Sequence, residues 1–214
     1  MAQKFDYKKE YPDLYLPGKK PMPSQVGRIR FLMVDGKGAP ESEEYQSALK
    51  ALYAVAFTIK MSRLSTPPEG YFEYVVPPLE GLWHTLQSAQ GPQAFTALPR
   101  QQWQWTSMLR QPDFVTPQVF QWALEECRRK KPEVDCSKIR LEAFEEGLCV
   151  QMMHLGPYSE EETTLSQLRE WIRAQGYRDD TGESRRHHEL YLSDPRRCAP
   201  QRMKTVLRLP ISRA

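Results

Sequence analysis

The side chains best suited to chemistry lie in the segment that begins at His187, where polar and apolar residues alternate. If this segment is a β-strand, His187, Glu189 and Tyr191 point to one face, and Leu190 and Leu192 point to the other, toward the helices. A carboxylate that neighbouring side chains shield from water can act as a general base or hold a cation. We therefore take Glu189 as the leading candidate for a functional residue.

Three tryptophans and a second glutamate accompany this strand. Trp103 and Trp105 share one face of a predicted strand, and Trp83 closes the preceding strand, which also carries Glu80. Indole rings grouped with a carboxylate favour flat, cationic or electron-poor ligands, through ring stacking and the attraction of charge to the ring faces. The pattern predicts a small-molecule pocket on the open face of a sheet. For each tryptophan taken singly, packing in the core is the alternative.

The predicted elements follow an order that repeats once. The first half, about residues 27–109, and the second half, about residues 147–210, each read strand, helix, strand, strand, and a helix near residues 117–130 joins them. An N-terminal arm, residues 1–24, precedes a domain of residues 25–214. We predict an α+β fold of tandem repeats with a pseudo-twofold axis, in which an antiparallel sheet carries helices on one face and a ligand groove on the other. A single antiparallel α+β domain without a repeat is the alternative.

Three local patterns predict how the elements begin and end. Glu146 and Gly147 predict the turn of a hairpin between strands 139–144 and 147–155. The segment 159–162 predicts a capping box, in which a serine hydroxyl and a glutamate carboxylate satisfy free backbone amides at a helix start. A further strand is predicted over residues 71–76, continuing through two prolines into the next strand.

The composition excludes several classes of protein. The chain has 214 residues and a net charge of +3, which is too small to indicate a nucleic-acid or membrane-surface partner. No apolar run approaches the roughly 20 residues of a membrane helix, and we expect no secretory signal. The four cysteines lack the spacing of zinc or redox motifs, so we expect reduced thiols in a cytoplasmic protein. His187 and His188 are adjacent on a strand and point to opposite faces, so no metal site is expected.

Six stretches of the chain are informative when they are taken together and in order: Phe31–Gly38, Ala51–Lys60, Val76–Trp83, Trp103–Thr106, Gly147–Tyr158 and His187–Arg197. They resemble the GyrI-like small-molecule-binding family, and in particular its stand-alone members, which lack a DNA-binding segment. The resemblance covers nearly the whole chain, including the N-terminal arm. One departure is His84, which follows Trp83 at a position where a second aromatic ring is expected.

The resemblance implies both a fold and a site. It implies two tandem strand–helix–strand–strand units with a ligand pocket between them, around a buried glutamate to which Glu189 corresponds. Some stand-alone members hydrolyse the cyclopropane ring of DNA-alkylating cyclopropanoid compounds and thereby protect the cell, which implies a cofactor-independent hydrolase. Glu189 would then position or deprotonate water, and Tyr191 or His187 would stabilise charge on a carbonyl oxygen. The expected catalytic residues are Glu189 and Tyr191, and the expected ligand contacts are Glu80, Trp83, His84, Trp103, Trp105 and His187, with a surface role as the alternative for His84.

The same resemblance is compatible with two other functions. A non-catalytic module would use the same pocket to sequester or sense aromatic cations. A protein-interaction module, such as a gyrase inhibitor, is the second alternative, although no segment of the sequence marks an interaction surface. We expect an aromatic or cationic small molecule as the partner, and none of the three functions requires a metal or an organic cofactor.

Overall fold

The computed structural model describes residues 4–85, 99–182 and 184–213. Within these ranges the chain forms five α-helices and seven β-strands. The helices are α1 (Tyr7–Glu10), α2 (Pro12–Tyr15), α3 (Glu43–Lys60), α4 (Pro117–Lys130) and α5 (Glu161–Ala174). The strands are β1 (Met22–Lys37), β2 (Leu79–Thr85), β3 (Trp103–Arg110), β4 (Arg140–Leu155), β5 (Tyr177–Asp179), β6 (His187–Tyr191) and β7 (Lys204–Arg213).

Six of the strands close into a ring through antiparallel pairing. The hydrogen-bonded order is β4-β1-β3-β2-β6-β7, and β4 also pairs with β7. β4 is long enough for both neighbours, because its part from Arg140 to Gln151 lies along β1 and its part from Cys149 to Leu155 lies along β7. β5 pairs with the far end of β7. The ring therefore has an outer face, which can carry helices, and an interior face, which side chains must fill.

The chain repeats a strand–helix–strand–strand unit. β1, α3, β2 and β3 form the first unit, and β4, α5, β6 and β7 belong to the second, with α4 between them. β1 pairs with its counterpart β4, and β2 pairs with its counterpart β6, as two units related by a twofold axis require. The predicted α+β class, with an antiparallel sheet and tandem repeats, is confirmed.

The helices of the two units cover the outer face of the ring because each has one apolar side. Ser42 is the N-cap of α3, and its hydroxyl accepts a hydrogen bond from the helix backbone. The helix buries Leu52 and Val55 against β1 and β3. α5 buries Leu165 and Leu168 against β4 and β7. None of the helices in the described ranges is both long enough and apolar enough to cross a membrane.

β4 is one continuous strand, so the hairpin predicted at Glu146 and Gly147 is wrong. Gly147 has a φ of 76°, a left-handed conformation that glycine adopts without strain. Val26 pairs with Gly147 and Arg28 pairs with Glu145, so the ladder with β1 continues on both sides of this position. The glycine distorts the strand locally without reversing it, and β4 can therefore pass from β1 to β7.

The strand predicted over residues 71–76 is also absent from the described structure. Tyr74 makes an isolated bridge to Phe5 of the N-terminal arm, and β2 begins only at Leu79. The intervening Pro77 and Pro78 have no backbone N–H to donate to a ladder. The two prolines therefore separate this segment from the sheet.

The start of α5 differs from the predicted capping box. The N-cap residue is Glu160, and no side chain caps the helix. A 3-10 turn over Tyr158–Glu160 leads into the helix instead. As a result Glu161, the first residue of α5, is turned toward the sheet and is only 5% exposed.

Aromatic side chains anchor the N-terminal arm. Tyr7 and Tyr11 stack with their ring centroids 6.0 Å apart, and the Arg110 guanidinium lies 4.6 Å from the first ring and 4.2 Å from the second. Tyr15 is almost fully buried. β1 begins at Met22, so the last residues of the predicted arm already belong to the sheet.

Candidate functional site

His187, Glu189 and Tyr191 of β6 share a face, as the alternation predicts, but it is the face on which the helices pack. Glu189 acts electrostatically on Tyr45 of α3 and on Glu161 of α5. Leu190 points to the interior of the ring, where it lines a cavity. The predicted orientation of this strand relative to the helices is therefore wrong. A closed ring buries both of its faces, so apolar residues do not mark the side that the helices cover.

Glu189 is buried, with 5% of its surface exposed, and both of its carboxylate oxygens are hydrogen-bonded. His187 Nε2 lies 2.9 Å from Oε1, and the Tyr191 hydroxyl donates to Oε2 at 2.8 Å. Trp83 Nε1 in turn donates to the Tyr191 oxygen at 2.7 Å. Burial, followed by repulsion from the Glu189 carboxylate, raises the pKa of Tyr191 well above its usual value, so the phenol keeps its proton. The chain of donors fixes the orientation of the carboxylate.

The predicted tryptophans form an aromatic wall on the same face. Trp83 lies opposite Trp105 on one side and opposite His187 on the other. The rings of Trp83 and Trp103 meet edge to face, with their centroids 5.7 Å apart. Tyr45, which the sequence analysis missed, stacks on Trp83 at 6.0 Å and meets Trp105 edge-on at 4.9 Å. The structure thus brings Trp83, Trp103, Trp105, His187, Glu189 and Tyr191 together.

Two glycines leave room for this wall. Gly36 lies opposite Trp105 in the ladder, and a Cβ atom there would fall inside the indole ring. A Cβ atom on Gly81 would lie 2.8 Å from Trp83 Nε1 and 3.1 Å from the Tyr191 hydroxyl. The rings can lie across the strands only because these two positions have no side chain.

Two more groups that the sequence analysis missed come from the 3-10 turn before α5 and from the first residue of α5. The ring of Tyr158 meets that of Tyr191 edge-on at 5.9 Å. Glu161 is buried beside the Thr205 hydroxyl, and burial followed by the Glu189 carboxylate raises the pKa of Glu161 to about 10. Its carboxyl group is therefore neutral at pH 7. In the sequence it resembles any acidic residue in the first turn of a helix, so only the fold distinguishes it.

Glu80 and His84 do not join this cluster. Each is an odd number of residues from Trp83 on β2, so their side chains point to the opposite face, toward the ring interior. Glu80 is 2% exposed; it accepts a hydrogen bond from the Tyr15 hydroxyl at 3.1 Å, and its other oxygen lies 3.1 Å from His188 Nε2. His84 is partly buried.

Glu80 belongs to a second cluster, the interior network, which also contains Glu146, His188 and Arg208. His188 Nδ1 lies 3.0 Å from a Glu146 oxygen, and Arg208 donates to that oxygen at 2.7 Å. Burial opposes ionisation of Glu146, but His188 and Arg208 outweigh it and lower the pKa of Glu146 to about 2. Burial likewise opposes the charge of His188, and Glu146 more than offsets it, so the pKa of His188 is raised. A cavity of about 10 Å³ lies beside the network, which is about the size that holds one water.

The cluster around Glu189 is therefore an anionic group enclosed by aromatic rings. Ring faces and a buried carboxylate both attract cations, and flat rings stack on indoles. Trp83 and Trp105 are nearly fully buried, whereas Tyr158 is 40% exposed and forms the outer edge of the cluster.

Across the described ranges, no group of three or more His, Cys, Asp or Glu side chains is placed to hold a metal ion.

Comparison with known proteins bears on the family of this chain. A hydrolase from Listeria innocua is 51% identical, with a TM-score of 0.88, over 98% of this chain and 100% of the other. The family model of the GyrI-like small-molecule-binding domain matches residues 114–212. This chain belongs to the GyrI-like family. The resemblance inferred from the sequence is confirmed at the level of the family.

Other relatives of this GyrI-like protein extend the comparison. An uncharacterized conserved protein from Listeria innocua is 52% identical, with a TM-score of 0.91, over 98% of this chain and 100% of the other. The C-terminal domain of EcmrR is 10% identical, with a TM-score of 0.54, over 91% of this chain and 98% of that domain, so the likeness is one of fold alone. No curated protein matches the chain.

Proposed function

We propose that this protein binds bulky aromatic or cationic small molecules at the Glu189 cluster and hydrolyses the cyclopropane ring of cyclopropanoid compounds, which protects the cell. The observation that carries the proposal is the buried Glu189 carboxylate beside an aromatic wall. Among the described residues its hydrogen-bond partners are His187 and Tyr191, so neither lysine nor arginine neutralises it. The relative at 51% identity is a hydrolase, which favours catalysis over binding alone.

A cytoplasmic location agrees with the four free cysteines.

The proposed reaction opens a strained ring that is conjugated to a dienone. The substrate stacks against Trp83 and the neighbouring indoles, and Glu189 accepts a proton from water as the water oxygen bonds to the ring carbon. The breaking carbon–carbon bond sends its electron pair into the dienone, and the carbonyl oxygen becomes a phenolate. The Tyr191 hydroxyl turns from Glu189 to stabilise that charge. The proton held by Glu189 then passes to the phenolate, so the sum is substrate plus water giving an alcohol and a phenol.

A bulky ligand also needs space beside the carboxylate. Tyr45 of α3 and Tyr158 of the 3-10 turn lie close enough to Glu189 for its charge to act on both hydroxyls, and Tyr158 is the more exposed of the two. In the proposed binding event these rings move outward and stack on the ligand. Such a movement exchanges ring contacts within the protein for ring contacts with the ligand.

The test measures product formation from a cyclopropanoid by the wild type and by Glu189→Gln. The amide keeps the size of the side chain but cannot accept the proton, so we expect turnover to fall by about 100-fold or more. Glu162→Gln, which removes an exposed carboxylate on α5, is the matched control and should keep full activity. Equal turnover by the wild type and Glu189→Gln would show that the assigned role of Glu189 is wrong.

Binding without chemistry is the second candidate, because the matching family model describes a small-molecule-binding domain. In that case a fluorescent aromatic cation such as ethidium binds, and Glu189→Gln weakens its binding. No cyclopropanoid is converted to product, even at high protein concentration. The same two assays therefore separate the enzyme from the binding module.

A further inference from the structure

We propose that Glu161 is a second carboxyl group of the Glu189 site, and that it releases its proton when an aromatic dication binds. The inference rests on the proposed binding of aromatic cations at Glu189. It adds a ligand class, because a site that can present two carboxylates favours ligands with two positive charges. It also adds a measurable coupling between ligand binding and proton release.

The position of Glu161 points to this role. Its side chain lies in the cluster around Glu189 rather than in solvent, with 5% of its surface exposed. One of its oxygens, Oε1, is buried and has no hydrogen-bond partner within the described residues. Burying a polar atom without a partner costs free energy. An unsatisfied acceptor beside a ligand site is therefore available to a ligand.

The groups that face Glu161 from the surrounding elements include no arginine or lysine among the described residues. Thr205 of β7 lies beside it, and Glu189 of β6 raises its pKa. His154 of β4 is engaged elsewhere, with Nδ1 2.8 Å from the Thr164 hydroxyl and Nε2 3.2 Å from a backbone carbonyl. The remaining titratable neighbours are Tyr158 of the 3-10 turn, Tyr191 of β6 and the exposed Glu160 and Glu162.

The two carboxyl groups of the site differ in their hydrogen-bond partners. Glu189 has a hydrogen-bond partner on each oxygen, His187 on one and Tyr191 on the other. Glu161 has only the Thr205 hydroxyl beside it, and burial followed by repulsion from the Glu189 carboxylate raises its pKa, so Glu161 is the member that keeps a proton. The empty site therefore has one carboxylate and one neutral carboxylic acid.

A bound ligand changes this balance according to its charge. A monocation neutralises Glu189, and Glu161 still lies in a buried, uncharged environment that favours its proton. A dication leaves one positive charge uncompensated, which lowers the pKa of Glu161 until it ionises. Binding of the dication is then accompanied by proton release, whereas binding of the monocation is not.

Ethidium and propidium test the inference, because they share a phenanthridinium ring system and carry one and two positive charges. Titration calorimetry at pH 7.5 in two buffers of different ionisation enthalpy measures the protons released. We expect about one proton per propidium and close to none per ethidium. Glu161→Gln should abolish proton release, weaken propidium binding by about tenfold or more and change ethidium binding by less than about twofold. Glu160→Gln, which makes the same substitution at an exposed neighbour, should behave as the wild type.

Each other outcome counts against a specific step. If ethidium binds but propidium releases no proton, or if Glu161→Gln weakens both dyes equally, the role of Glu161 is wrong and the Glu189 site stands. If neither dye binds, the proposed recognition of aromatic cations fails, and this inference fails with it. Circular dichroism of Glu161→Gln checks that a loss of propidium binding does not reflect unfolding.

Discussion

At the scale of single residues, neighbours decide what each glutamate of this chain can do. Glu189 and Glu161 lie in one cluster, but only the first has hydrogen-bond donors on both oxygens. Glu146 is equally buried, and the adjacent His188 and Arg208 keep it ionised. Three buried carboxyl groups therefore lie in three different environments: one has a hydrogen-bond partner on each oxygen, one has an unsatisfied oxygen, and one belongs to an internal ion-pair network.

The protonated state of Glu161 predicts a pH-dependent effect on stability. Its folded pKa of about 10 lies above the usual value of 4.5, so between these values the unfolded chain loses a proton that the folded chain keeps. Stability from this group is present at low pH and is lost as the pH rises through that window. We expect Glu161→Gln to match the wild type near pH 4 and to be more stable by at least about 1 kcal/mol at pH 8. Urea unfolding at both values measures this, and equal stability at pH 8 would contradict it.

At the scale of elements, the sequence predicts which side chains of a strand share a face. It predicts less well which other elements pack against that face. The alternation on β6 correctly groups His187, Glu189 and Tyr191. It cannot tell that this face meets the helices, because Leu190 is equally buried on the other side by the closing of the ring. Glu161 escaped prediction for a related reason: its burial depends on β6 and β7, which come later in the chain, whereas the capping motif is local.

Strand packing also predicts that Gly81 is essential to the cluster. A methyl group there would meet Trp83 Nε1 at 2.8 Å and the Tyr191 hydroxyl at 3.1 Å, so one ring must move. We expect Gly81→Ala to lower the unfolding free energy by about 1–3 kcal/mol and to weaken ethidium binding. Gly27→Ala on β1, where a Cβ atom has nothing within 4 Å, is the control and should change neither measurement. Unaltered dye binding by Gly81→Ala would show that the hydrogen bond between Trp83 and Tyr191 does not shape the site.

At the scale of the whole molecule, the interior network joins parts that are distant in sequence. Glu146 of β4 and Arg208 of β7 are 62 residues apart, and the Arg208 guanidinium also donates to the Leu14 carbonyl of the N-terminal arm at 3.1 Å. The tandem repeat and the α+β class follow from local periodicity, which the sequence records directly. The closing of the ring and its buried charges could not be predicted, because they depend on β4 serving two neighbours and on pairings that no local pattern specifies.

The interior network makes its own prediction for stability against pH. The folded pKa of Glu146, about 2, lies below the usual 4.5, so its contribution is present above pH 4.5 and is lost as the pH falls toward 2. We expect Glu146→Gln to cost about 3–5 kcal/mol at pH 6, because it leaves buried charges unpaired. The cost should shrink steadily below pH 4.5, because there the unfolded wild-type chain takes up a proton that the folded chain takes up only near pH 2. Urea unfolding between pH 3 and pH 6 measures the difference, with the exposed Glu145→Gln as the control. A penalty that is the same at pH 3 as at pH 6 would mean that the variant loses packing rather than charge, and that His188 and Arg208 do not depend on Glu146.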